Sequence, residues 1–173
     1  MDVSSGKDYS VNNLNGIKGL TVDYNTILRS LRYALKINDQ KVSEIFALNG
    51  SSVDAGKVSD MLKKEGDDGF LLVDEKMIRD FLDGLIISKR GPREPGSKAL
   101  PDQTMNNNMV MKKIRIAFEL KEEDMIKVIQ DGGFVVSKAE LTALFRKKGH
   151  KHYRECGDQL LRYFLKGLSN RDL

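Results

Sequence analysis

The stretch from Arg79 to Leu85, RDFLDGL, returns 83 residues later from Arg162 to Leu168 as RYFLKGL, with five of seven residues unchanged. Carried towards the N-terminus, the same offset lays Asn25 to Leu85 on Asn108 to Leu168 without a gap. Twelve of these 61 positions are identical, among them Asn25/Asn108, Arg32/Arg115, Gly50/Gly133, Gly66/Gly149 and Gly84/Gly167. Identity at that level is weak alone. The apolar positions also correspond, however: Leu31/Ile114, Leu35/Phe118, Val42/Met125, Ile45/Val128, Phe46/Ile129, Val58/Leu141 and Met61/Leu144. Matching of whole apolar stripes at one offset identifies a tandem duplication.

Each copy reads as four helices. Ile27, Leu28, Leu31, Ala34 and Leu35 fall at helical spacing and predict a first helix from Tyr24 to near Lys36. A second is expected from Asp39 as N-cap, with Val42, Ile45 and Phe46 inward and Asn49-Gly50 as its stop. Asp54 caps a third that carries Val58, Met61 and Leu62 and is expected to end at Gly66. A fourth begins near Asp74 and turns Met77, Ile78, Phe81, Leu82, Leu85 and Ile86 to one side. In the second copy Ser137 and Glu140 have the spacing of a capping box.

All three prolines, Pro92, Pro95 and Pro101, fall between the copies. Interior proline costs a helix roughly 3 kcal/mol, so their confinement to one seam fits helices everywhere else. The expected organisation is a disordered leader at 1–22, repeat 1 at 23–88, a Pro-rich connector at 89–105 and repeat 2 at 106–173. A core of about 60 residues is marginal alone. The fold expected is therefore all-α, two tandem homologous four-helix repeats packed with pseudo-twofold symmetry.

Several retained residues have two readings. Gly84 and Gly167 sit inside strong helices, where glycine costs about 1 kcal/mol relative to alanine; close helix approach is the favoured reason for keeping them. Arg32, Arg115, Arg79 and Arg162 are read chiefly as structural bridges between helices, with an anion-binding role as the competing reading.

No glycine-rich phosphate loop, nucleophile elbow or His-Glu-x-x-His signature is present, so no catalytic residue, cofactor or metal site is expected. His150, His152 and Cys156 are the nearest thing to a ligand cluster, but they are local and their first-copy counterparts Asp67, Gly69 and Val73 share no ligand character. A single cysteine cannot form an internal disulfide, and no apolar run reaches signal-peptide or membrane-span length. These features point to a cytoplasmic protein with no membrane role.

Charge distinguishes the copies. Residues 24–87 hold 9 basic and 11 acidic side chains, whereas residues 108–168 hold 13 and 8. The excess collects in one loop, where Arg146, Lys147, Lys148, Lys151 and Arg154, with Tyr153 among them, face no acid in sequence. Its counterpart from Lys63 to Leu71 has two bases and three acids. A basic run beside an aromatic ring suits a phosphate backbone; the competing and favoured reading is a solvated loop, or one that pairs with the acidic loop of the other copy or of another subunit. A DNA-reading helix-turn-helix is disfavoured, because Ala55, Gly56, Asp60, Ala139 and Glu140 lack the side chains that read purine edges.

The stretches NNNMVMKKIRIAFE from Asn106 to Glu119, RECGDQLLRYFLKGL from Arg154 to Leu168 and FLDGLIISKRG from Phe81 to Gly91 resemble the YehS-like family of bacterial proteins, from about Tyr24 to Leu168. The resemblance implies a small cytoplasmic bacterial protein with two copies of one domain, and implies no reaction, ligand or catalytic residue. The function expected is a non-enzymatic macromolecular binding or adaptor module, meeting a protein partner or a second copy of itself. The alternative is a nucleic-acid-associated protein that uses residues 146–154, on RNA rather than on specific DNA sequences.

Overall fold

The computed structural model describes residues 22–97 and 104–173. Among them are eight helices and no strand: α1 (Tyr24–Leu35), α2 (Asp39–Leu48), α3 (Ala55–Leu62), α4 (Glu75–Arg90), α5 (Asn107–Ala117), α6 (Glu122–Gly132), α7 (Lys138–Leu144) and α8 (Asp158–Ser169). Every helix of the second repeat starts 83 residues after its counterpart in the first.

Asp23, Asn38, Asp54 and Asp74 cap the four helices of repeat 1, each accepting from the backbone N–H three residues on. Ser137 and Glu140 form the reciprocal capping box on α7. Three local expectations need correction. Asn38, not Asp39, caps α2, which frees the Asp39 carboxylate to meet Arg32 Nε at 2.9 Å. The third helix stops at Leu62 rather than Gly66, because Lys63 is extended and the side chain of Asn25 takes the carbonyl of Met61. The fourth helix continues to Arg90, two residues into the stretch read as connector, and is closed by Gly91 at φ +85°.

The connector and leader boundaries shift for the same kind of reason. Val22, assigned to the leader, is buried with the core, while residues 1–21 lie outside the described residues. Met105, assigned to the connector, is also buried: Tyr24 donates to its carbonyl at 2.9 Å and its N–H reaches Glu75 Oε1 at 3.3 Å. The connector therefore ends as part of the packed body, and residues 98–103, with Pro101, lie outside the described residues.

Within each repeat the second and fourth helices cross most closely. A Cβ on Gly84 would lie 2.0 Å from the Ile45 carbonyl oxygen, and one on Gly167 would lie 1.8 Å from that of Val128, the equivalent residue. Backbone of the neighbouring helix fills the space a side chain would need. In repeat 2 the crossing is tighter still, since a Cβ on Gly132 would meet the Tyr163 carbonyl oxygen at 1.9 Å.

Between repeats, α1 packs on α8 and α4 packs on α5. Because α5 is the copy of α1 and α8 the copy of α4, the two pairings exchange under the duplication. That reciprocity is the pseudo-twofold relation. Buried side chains of both repeats, including Leu28, Leu31, Phe81, Ile114, Phe164 and Leu168, belong to a single apolar cluster. Two halves, each of marginal size for a core of its own, thus share one core.

Candidate functional site

The return loops after α3 and α7 have one backbone and opposite charge. Asn25 Nδ2 donates to the carbonyls of Met61 and Leu71, and its Oδ1 accepts from Val73 N–H. Asn108 repeats all three bonds, to Leu144, Arg154 and Cys156, each 83 residues on. The bonds Leu71 N–H to Asp60 O and Phe70 N–H to Asp67 O recur as Arg154 to Ala143 and Tyr153 to His150. Gly66 and Gly149 share φ +94°, a turn conformation that favours glycine.

On this common frame the side chains diverge. In repeat 1 the loop is net acidic and bonds within itself: Lys63 Nζ meets Asp60 at 2.7 Å, and Asp67 accepts from Lys64 N–H at 3.0 Å. The bond to Asp60 raises the Lys63 ammonium above the usual lysine range. Arg29 closes the corner by donating to the Lys63 carbonyl at 2.8 Å. In repeat 2 the counterparts of Asp60, Glu65, Asp67 and Asp68 are Ala143, Lys148, His150 and Lys151. Three carboxylates have become bases or a histidine, and a fourth a methyl group.

The consequence is a cleft of about 580 Å³ between the start of α5 and the loop after α7. Lys112, Arg146, Lys147 and Lys148 supply its charge and Tyr153 and Phe145 its rings, and among the described residues none that lines it is acidic. Burial and the nearby Glu155 raise the Tyr153 phenol above its ordinary value, while a hydrogen bond with Asn106 opposes them. The phenol therefore stays neutral at pH 7.

Of the loop residues singled out from the sequence, Arg146, Lys147, Lys148 and Tyr153 line the cleft. Lys151 and Arg154 are exposed beside it and do not line it. Lys112 and Asn106 line it too and were missed. The available signal was the register: Lys112 lies one helical turn beyond Asn108, where repeat 1 has Arg29 pointing to its own loop.

The retained arginines are scattered rather than convergent. Arg32 pairs with Asp39; Arg115 donates from Nε to the Leu120 carbonyl at 3.1 Å and sits 4.7 Å from the Phe145 ring centroid. Arg79 meets Glu75 at 2.5 Å one turn away on α4, and Arg162 lines a different cleft, between α1 and α8. Cys156 is packed in the core, where desolvation by its surroundings pushes its thiol up to about 12. A thiol held neutral is neither nucleophile nor metal ligand. His150 and His152 lie in the exposed loop with ring centroids 5.7 Å apart, and among the described residues no group of three or more His, Cys, Asp or Glu is placed to hold a metal. No helix among them is long and apolar enough to cross a membrane.

Fold and site together define a class: a duplicated all-α protein in which one repeat keeps an acidic, internally bonded corner and the other opens the same corner as a basic cleft. The chain belongs to the family described as a protein of unknown function, DUF1456, which it matches twice, over residues 24–91 and 107–172. The uncharacterized protein YehS of Escherichia coli (strain K12) is 44% identical to it over 147 residues, spanning 85% of this chain and 94% of that relative. No solved structure matches the chain.

Proposed function

We propose that the protein is a non-enzymatic binding module whose contact surface is the basic cleft of repeat 2, and that its partner is a polyanion, an RNA strand in the first instance. The observation that carries this is the exchange of Asp60, Glu65, Asp67 and Asp68 for Ala143, Lys148, His150 and Lys151 on an unchanged loop backbone. In repeat 1 the same loop backbone closes the helix pair with a net acidic set of side chains, one lysine of which is paired with Asp60. Repeat 2 instead concentrates cations around an aromatic ring, the chemistry that follows a phosphate backbone and stacks a base. A ring beside lysines and arginines suits a single strand, whose bases are free to stack, better than the stacked bases of a duplex. A bacterial, cytoplasmic setting belongs to the same proposal, supported by the Escherichia coli relative and by a lone cysteine.

Fluorescence anisotropy of a labelled single-stranded RNA across a series of salt concentrations tests it. Binding at low ionic strength is expected to weaken linearly in log–log form, and removal of Lys147 and Lys148 should flatten the slope by about one unit each. Absence of RNA binding at low salt overturns the nucleic-acid assignment and leaves an acidic protein surface, or a second copy of this chain, as the partner for the cleft.

A further inference from the structure

The charges that meet across the two seams follow one rule. In the α4–α5 seam Asp83 pairs with Lys113, their side chains only 18% and 7% exposed, and Arg90 pairs with Glu119 where the helices end. In the α1–α8 seam Lys36 pairs with Asp172 at 3.0 Å. Each of these pairs joins one repeat to the other. The 83-residue offset carries Lys36 to Glu119, Lys89 to Asp172, Ser30 to Lys113 and Asp83 to Lys166. The positions correspond in space as well. Lys36 and Glu119 take the same turn, with φ +53° and +50°, and Ser30 and Lys166 line one cleft where their counterparts Lys113 and Asp83 form one ion pair.

Because the repeats share one backbone plan, shape alone would let a repeat seat on a second copy of itself from another chain. Charge opposes it. Two copies of repeat 1 would set Lys36 against Lys89 and would leave Asp83 facing Ser30. Two copies of repeat 2 would set Glu119 against Asp172 and Lys113 against Lys166. Every pairing of like repeats thus turns an attraction into a repulsion or strands a carboxylate in the seam. An exposed ion pair contributes little, whereas breaking a buried one by removing a partner is strongly destabilising. Asp83 and Lys113 therefore dominate, and the pairs at the helix ends act in the same direction.

We infer that Asp83 and Lys113, seconded by Lys36, Asp172, Arg90 and Glu119, select the partner of each repeat: repeat 1 accepts repeat 2 and rejects another repeat 1, so that the chain closes on itself instead of assembling with a second copy through like repeats. None of these residues lines the basic cleft of repeat 2, and the selection is independent of what that cleft binds.

Asp83→Lys and Lys113→Asp, each made in the full chain and carrying different affinity tags, test the inference. Alone, each variant sets like charges together in the α4–α5 seam, and its Tm should fall by about 6 °C or more. Unfolded together in urea and refolded as a mixture, the two should form an equimolar heterodimer, detected by native mass spectrometry. In it repeat 1 of each chain seats on repeat 2 of the other: the introduced lysine meets the introduced aspartate, and the remaining Asp83 and Lys113 meet as before. The mixture should melt above either variant alone. Two tagged wild-type chains treated in the same way should gain neither association nor stability. Asp83→Lys/Lys113→Asp, which restores a pair within one chain, should recover most of the lost Tm without a partner. Several results overturn the assignment: wild-type melting in both single variants, a mixture that does not associate or melts no higher than its components, equal association of the wild-type chains, or a double variant no more stable than the single ones.

Discussion

Replacing Asn25 with alanine removes the side chain that ties the first helix to the return loop of its repeat. Asn25 is 1% exposed and makes three bonds, to the Met61 carbonyl at 2.8 Å, the Leu71 carbonyl at 2.8 Å and the Val73 N–H at 2.9 Å. All three partners are backbone groups. Leaving a buried polar group unpaired costs about 1 to 3 kcal/mol, so even the low figure for each gives a loss of about 3 kcal/mol. For a chain of this size that is a fall in Tm of about 6 to 12 °C. Urea titration and thermal melting followed by far-ultraviolet circular dichroism measure it directly. Asn108→Ala removes the same three bonds at a half-buried position, and the loss there should be smaller. Asn25→Asp is the sharper control, because it keeps the shape and the acceptor for Val73 but sets an oxygen against two carbonyls. The new carboxyl is held neutral in the fold, so its folded pKa is raised. Whatever stability it retains is present below the ordinary carboxylate pKa of about 4 and is lost as pH rises towards neutrality. A loss under about 1 kcal/mol for Asn25→Ala, or an Asn25→Asp variant as stable as the wild type at pH 7, would refute the reasoning.

Three further outcomes follow from the packing. Gly84→Ala and Gly167→Ala each drive a methyl group into a backbone carbonyl of the crossing helix and should destabilise by about 3 kcal/mol or more in a denaturant titration; Gly56→Ala, whose Cβ would meet only the side chain of Asp54 at 3.1 Å, should cost far less. Asp83→Asn strips the partner from Lys113, whose side chain is 7% exposed, and should cost about 3 kcal/mol in the same titration, with Asp83→Asn/Lys113→Met recovering most of it. Cys156, with its thiol raised from 9.0 to about 12, should resist alkylation at pH 8 until the chain unfolds. Its folded pKa lies above its unfolded one, so its contribution is intact below about pH 8.5 and declines as pH climbs towards 12; a labelling rate in native buffer equal to that in denaturant would contradict this.

Much of the architecture was legible in one dimension. Apolar side chains recurring at helical spacing, and recurring again at an offset of 83, specify eight helices and their inward faces, because a helix face is set by residues three and four apart. The loop of Arg146 to Arg154 was likewise visible as a charge anomaly against its own duplicate. Boundaries were less legible. Asn38 and Asp39 are adjacent candidates for one cap, and which takes it depends on Arg32 lying across the turn to hold the other.

What only the tertiary structure decided is which charges meet. Asn25 and Asn108 stood out as identities without a role until both were seen holding the same three backbone groups. Lys112 joins Arg146 to Lys148 around Tyr153 across more than thirty residues of chain. Asp83 finds Lys113 in one seam, while the corresponding positions in the other are Lys166 and Ser30. Periodicity is a local property and survives in the linear order of residues; the neutralisation of a charge is set by distance through space, and two copies of one sequence pattern arrive at different answers once they are folded against each other.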